Sequence, residues 1–342
     1  MQLGINVMRP SIRFGLWGPD LAETAEMVRR AESLGYESAW TAEASGTDAV
    51  TPLGWIAAQT TTIKLGTSIM QIAGRSPGTT AMTAATLDVL SGSRFILGLG
   101  VSGAAVVEAW HSQAYGKPLA KTAEYVEVVR KILRREGPVE HHGEYYDIPY
   151  QGPGSTGLAD PIQLMFRPPR RRIPIYLAAM GERNVQLALN IAEGVIPAFY
   201  SPFKEDVFFG GTPAAERKDF HVAPFVYIAV GDDLDACRDR VRPGFAFWLG
   251  VMGSRKVNYY NEFVQRMGYE QAAKNVAQLY LEGRPGEAAR NVPDALIDEM
   301  SLCGPPARIK DLLDPWKESA VTTMICSGMD APTMELMAEL VN

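Results

Sequence analysis

Eight short apolar runs recur along the chain, at residues 3–7, 38–43, 64–70, 95–101, 173–180, 195–200, 221–231 and 320–327. Most are followed by a stretch with helical periodicity. In 20–36, Leu21, Ala25, Val28 and Ala31 recur at helical spacing, Glu23, Glu26, Arg30 and Glu32 lie on the other side, and Gly35 stands where a helix would end. Strands that are apolar throughout, rather than alternating, suit a parallel sheet covered on both faces. Eight such strand–helix units predict an α/β chain folded as a (β/α)8 TIM barrel, a fold that takes about 250 residues. A chain of 342 residues therefore carries insertions, which fall near 137–172, 201–219 and 254–295. No linker or shift in composition divides the chain, so one barrel is expected, with two doubly wound domains as the alternative.

The stretch RFILGLGVSG (94–103) places Gly98, Gly100 and Gly103 in a G-x-G-x-x-G arrangement. A dinucleotide fingerprint needs a helix after the glycines, a second strand, and an acidic residue about 20 positions on. Residues 121–136 are instead an amphipathic helix with Tyr125, Val128, Val129 and Ile132 as its apolar stripe; Glu124 and Glu127 are expected to face water. Gly98 and Gly100 then belong inside the fourth strand, and Ser102 and Gly103 open the loop beyond it.

In a barrel of this kind, chemistry collects at the C-terminal ends of the strands. Asn6, Glu43, Ser68, Ser102, the turn AAMGERN (178–184) and the stretch 197–201 fall there. At the turn, small residues end a strand, Gly181 allows close backbone approach and a helix begins at once. Free N–H groups at such a start suit a phosphate, and an ordinary strand–helix turn fits the same letters equally well. Glu182 would oppose an anion unless its side chain swings away. The basic cluster RPPRRR (167–172) precedes a strand, so it belongs to the opposite end, as a solvated loop.

Several functions lack their residues. His111, His141, His142 and His221 have no metal-binding spacing, and the adjacent pair at 141–142 reads as part of an insertion hairpin. No G-x-S-x-G nucleophile elbow occurs. A net charge of −6 argues against nucleic-acid binding, and no apolar run approaches the roughly 18 residues of a membrane span. The start lacks the features of a signal peptide. Three scattered cysteines do not make a disulfide framework, which places the chain in a reducing cytoplasm.

The stretches AESLGYESAWTAE, IKLGTSIMQIAGRSPGTTAMTAATLDVLSGSRFILGLGVSG and IPIYLAAMGERNVQLALNIAEG, with a late CGPPARIKDLL, resemble the luciferase-like monooxygenase superfamily. The resemblance is closest to the branch that uses the deazaflavin coenzyme F420, such as methylenetetrahydromethanopterin reductases. It implies a flavin-type ring bound at the barrel mouth. Ser68 and Ile69 match a bulge behind the ring, with a cis peptide between them; Ser102 and Gly103 match a loop that touches the cofactor. Ala179, Met180, Gly181, Asn184 and Val185 match a phosphate-binding turn, in which Glu182 stands where proline is common. Glu43 matches an acidic position at the end of strand two.

The resemblance also bears on the reaction. A sugar-phosphate dehydrogenase branch reads Asp-His at that position, the histidine serving as base, where this chain reads Glu43-Ala44. Ala104 follows Gly103 where that branch carries an acid. A reductase consuming reduced coenzyme F420 on a small organic substrate is therefore implied, with Glu43 either its proton donor or a brace for the loop. A homodimer is expected. An FMN-dependent monooxygenase, or a cofactor-binding barrel without turnover, is the alternative.

Overall fold

The computed structural model describes residues 1–7, 21–211, 219–252 and 257–341. Its barrel strands are β1 (Gln2–Asn6), β2 (Ser38–Thr41), β3 (Lys64–Thr67), β4 (Phe95–Gly100), β5 (Ile175–Leu177), β6 (Gly194–Val195), β7 (Phe225–Val230) and β8 (Thr323–Ser327). Each of the eight apolar runs supplies one. Parallel pairing runs from β1 through β6, and β8 lies between β7 and β1. The short segment His221–Val222, in line with β7, pairs with β6. The Phe225 N–H donates to Pro197 O at 3.2 Å and the Thr322 N–H to Val222 O at 3.0 Å, which closes the cylinder. The fold is a TIM barrel.

The helices that bear on the mouth are α1 (Leu21–Ser33), α2 (Val50–Ala57), α3 (Pro77–Leu90), α4 (Ala104–Ala109), α5 (Pro118–Arg134) and α6 (Glu182–Ile191). In α1, Ala25, Val28 and Ala31 are buried as their spacing predicts, and Gly35 follows with φ 82°, the left-handed ending that glycine adopts freely. Inside the barrel, Trp40, Ile96, Tyr176, Ile196, Ala223 and Ile325 form one apolar cluster, with Ile69 and Phe225 against it. Trp40 fills the space beside Gly66, where a Cβ would lie 2.3 Å from the indole ring. A larger layer, including Leu65, Tyr125, Val129 and Leu177, packs between strands and helices.

The first insertion contains the expected hairpin, His141–His142 against Asp147–Ile148. His141 is buried and His142 exposed, as neighbours on a strand must be. Glu124 does not face water. Its carboxylate accepts from the Tyr145 N–H at 3.0 Å and the Tyr146 N–H at 2.7 Å, and meets His141 Nε2 at 3.1 Å. The hairpin lies over that side of α5, and its turn amides need an acceptor; Glu127 stays half-exposed.

The basic cluster also departs from a solvated loop. Arg170 forms a two-pronged pair with the fully buried Asp88, and Arg172 joins Arg130 on Glu193. These pairs fasten the incoming chain beneath β4 and β5.

Of the other insertions, 212–218 and 253–256 lie outside the described residues. The third insertion is helical over Tyr259–Val264, Glu270–Leu281 and Pro285–Arg290, and Asp294–Met300 follows at its end. A further strand, Ser301–Gly304, pairs parallel with Tyr227–Val230 and was not among the eight runs. It lies on the edge of β7 away from β8, beyond the Phe225–Pro197 hydrogen bond to the chain after β6, so this segment satisfies backbone groups left bare there. The three cysteines are free and buried. Among the described residues no helix is long and apolar enough to cross a membrane, and no three His, Cys, Asp or Glu side chains group to hold a metal.

Candidate active site

Between β3 and β4 the register slips by one residue. Gly66 sits opposite Ile96, and Met70 opposite Leu99, four steps against three, which makes a β-bulge at the C-terminal end of β3. The Ser68–Ile69 peptide within it is cis, as the resemblance implied. The Ser68 N–H and Oγ both donate to Thr41 O, at 2.5 and 3.2 Å. Thr67 Oγ1 fills the broken ladder, donating to Gly98 O at 2.7 Å and accepting from the Gly98 N–H at 2.9 Å.

This explains the glycines of RFILGLGVSG. A Cβ on Gly98 would fall 1.7 Å from Thr67 O, and one on Gly100 would fall 2.9 Å from Ile69 Cδ1. They let the bulge lie against β4. Gly103 differs, with open space around its Cα. Beside it, Ser102 holds φ at 63°, a left-handed conformation costly for a residue with a side chain and concentrated at functional sites.

Glu43 follows β2 and touches the bulge from the other side. Its Oε1 accepts from the Gln71 N–H at 2.8 Å and pairs with Arg75, while Oε2 accepts from the Ala49 N–H at 3.1 Å. Its own N–H donates to Ile69 O at 3.2 Å. Both carboxylate oxygens thus work as acceptors for the protein, which favours bracing over proton donation. On the neighbouring strands, Asn6 Nδ2 donates to Ser327 Oγ at 3.1 Å, joining the ends of β1 and β8.

The turn after β5 is open at one point and braced elsewhere. No side chain caps α6, Gly181 has free space at its Cα, and among the described residues nothing accepts from the Glu182 or Arg183 N–H. Asn184 Nδ2 donates to Ala178 O at 3.1 Å, and the Asn184 and Val185 N–H groups both return to Gly181 O. Ala179, Met180 and Val185 are buried. So Gly181 and the two following amides are what a ligand could reach, and the other residues shape the turn. The Glu182 stem lies over Gly210, where a Cβ would come within 2.3 Å of its Cγ.

Four contributors escaped sequence reasoning. Gln71 and Arg75 hold Glu43; His111 Nε2 meets Gln71 Oε1 at 2.6 Å; Arg266 donates to Met180 O at 3.1 Å. Arg266 comes from the third insertion, beside a kink at Gly268 with φ 101°, and its guanidinium lies 5.5 Å from the centre of the Phe263 ring. Tyr115, after α4, is also tied to that insertion: burial and then its hydrogen bond with Tyr259 push its phenol well above the usual range. Phe199, by contrast, is buried against Phe245, Trp248 and Tyr260 and serves the core.

Parallel neighbours end at the same face, so the bulge after β3, the loop after β4 and the turn after β5 share one rim. Apolar Ile69, open backbone at Gly103 and an uncapped helix start at Gly181 fit a ring with a phosphate-bearing tail.

Known proteins share this architecture. The chain is 38% identical to a Mycobacterium tuberculosis protein named "Putative coenzyme F420-dependent oxidoreductase", over 98% of this chain and 99% of that one. It is 26% identical to the 5,10-methylenetetrahydromethanopterin reductase of Archaeoglobus fulgidus, covering 96% and 97%. The structure of coenzyme F420-dependent tetrahydromethanopterin reductase from Methanopyrus kandleri superposes with a TM-score of 0.78 at 24% identity, over 99% and 98% of the two chains. Residues 1–323 match the description "Luciferase-like monooxygenase", and the chain belongs to that family.

Proposed function

We propose that this chain is a coenzyme F420-dependent oxidoreductase working as a reductase, which delivers hydride to an activated C=C or C=N bond of a small organic substrate. The observation that carries the reading is the joint rim of Ile69, Gly103 and Gly181, an apolar backing beside a helix start with free amides. The 38% identical relative, by its name, supports the deazaflavin over FMN.

When bound, the deazaflavin supplies hydride from carbon and resists one-electron and oxygen chemistry. The chain's own residues position and shield it. Ile69 backs one ring face. The Glu182 and Arg183 N–H groups, at the positive end of α6, hold a phosphate, and Arg266 adds a cation beside the turn. Glu43 keeps the bulge in place through the Gln71 N–H.

The reductive direction is supported by the alanine at position 44. Alcohol oxidation needs a base to remove the hydroxyl proton as hydride leaves, a contribution of about 10²–10⁴-fold, and alanine offers none. In the reductive direction the product takes its proton from water or a single acid. A homodimer belongs to the same reading and is checked by sedimentation velocity.

The test is a parallel titration of purified protein with coenzyme F420 and FMN, followed by absorbance and fluorescence. Tighter deazaflavin binding supports the reading. Stoichiometric FMN retained through purification, with no deazaflavin affinity, overturns it in favour of a monooxygenase. Binding of neither points to a barrel without turnover. Robust oxidation of glucose 6-phosphate would overturn the direction.

A further inference from the structure

Three neighbouring loops of the mouth meet at one amide side chain. Gln71 Nε2 donates to Glu43 O at 3.0 Å and to Ala44 O at 3.3 Å, both in the loop after β2. Gln71 itself follows the bulge of β3, and its Oε1 lies 2.6 Å from His111 Nε2, in the loop after β4. Gln113 Nε2 adds a second tie between the same two loops, donating to Ala73 O at 2.8 Å.

The partners fix the chemistry of the link. Two carbonyls can only be met by the NH2 end of the Gln71 amide, so its oxygen faces the imidazole. An amide oxygen only accepts, and His111 must therefore carry a proton on Nε2. Nothing among the described residues bonds Nδ1. The link consequently holds whether the ring is neutral or doubly protonated, because Nε2–H is present in both forms.

We propose that His111 is a positioning residue of this site. Its Nε2–H locks Gln71, and through Gln71 it locks the Glu43–Ala44 turn and the Ser68–Gln71 bulge into one frame. Glu43 completes the frame from within, accepting from the Gln71 N–H that belongs to the same residue. The proposal rests on reading the bulge as the backing of a flavin-type ring. It adds that the backing is set by a histidine two loops away from Glu43, acting without contact to the reacting atoms.

Four variants test it: His111→Phe, Gln71→Leu, the double variant, and His111→Gln, whose side-chain amide can offer an N–H where Nε2 was. Each is titrated with coenzyme F420 and melted in parallel. Loss of this hydrogen bond should weaken binding about tenfold in His111→Phe, and Gln71→Leu, which also loses its bonds to the Glu43 and Ala44 carbonyls, should weaken it at least as much. The double variant should be no worse than Gln71→Leu alone, and His111→Gln should stay near wild type. Additive losses, unchanged binding in His111→Phe, or no rescue by glutamine would overturn the proposal.

Hydrogen exchange on the ligand-free protein separates this from a failure of the cofactor reading. Should wild type bind no deazaflavin, His111→Phe must still speed exchange at the Gln71 and Glu43 amides and His111→Gln must not. Unaltered exchange at both amides in His111→Phe overturns the frame whatever the cofactor is.

Discussion

Glu43 and Arg75 form an ion pair between neighbouring loops of the barrel mouth, their side chains 9% and 19% exposed. The pair is close to buried, and the same carboxylate also accepts two backbone N–H groups. Removing one partner of a fully buried pair costs about 3–5 kcal/mol, and the residual exposure of Arg75 lowers that to roughly 2 kcal/mol here.

The bracing role predicts that Glu43→Gln and Arg75→Met behave alike. Each should lower stability in urea by about 2 kcal/mol and weaken cofactor binding. A proton donor would behave otherwise: Glu43→Gln alone would slow single-turnover hydride transfer, and Arg75→Met would leave it unchanged. That split, measured by stopped flow, would return Glu43 to the role of acid.

Asp88 and Arg170 make a second test, at the opposite end of the barrel. Asp88 is fully buried, and Arg170 also donates to Phe95 O at 2.8 Å. Arg170→Met strands a buried carboxylate and should cost about 3 kcal/mol, while Asp88→Asn combined with Arg170→Met should recover part of the loss. Cofactor affinity should not change in either, since neither residue reaches the mouth. A loss of affinity at unchanged stability would contradict this division of the barrel.

The two ion pairs show where sequence reading reaches its limit. The barrel was legible because its signal is local: eight apolar runs, each followed by a helical stripe, need no partner to be recognised. Gly98 could be assigned to a strand for the same reason. Arg170 finds Asp88 from 82 positions away, and His111 finds Gln71 from 40. Periodicity carries no trace of such pairs, so Arg170 and Glu124 looked like solvent-facing charges. The bulge at Ser68–Ile69 was visible only through family resemblance, because its extra residue is defined by register against β4.

Acid should weaken the fold through Glu193. Burial would push its carboxyl up, but the Ile175 N–H, Arg130 and Arg172 outweigh that and leave it below the ordinary 4.5. A carboxyl lowered in the folded state contributes stability fully above its unfolded pKa, and the contribution fades as pH falls through the folded value. The stability difference between wild type and Glu193→Gln should therefore be constant from neutrality to about pH 5 and shrink below about pH 4.5. Urea midpoints at stepped pH measure it. A difference that grows on acidification would mean that the group is raised, not lowered.

The three glycines with contrasting surroundings give the most direct test of how the mouth is built. At Gly98 an added methyl would strike Thr67 O at 1.7 Å, a backbone atom fixed by the bulge. Gly98→Ala must push β3 and β4 apart and should cost about 3 kcal/mol or more. At Gly103 and Gly181 the methyl meets nothing within 4 Å, and their φ values of −81° and −92° suit alanine. Both variants should fold within about 0.5 kcal/mol of wild type. Their effect should fall on the ligand instead, because the methyl occupies the space through which a ring or phosphate approaches the backbone. Gly181→Ala should weaken binding of inorganic phosphate and of the whole cofactor together, whereas Gly103→Ala should weaken only the whole cofactor. Calorimetry with each probe separates the two, and equal losses for both probes in both variants would mean that Gly103 and Gly181 do not serve different parts of one ligand.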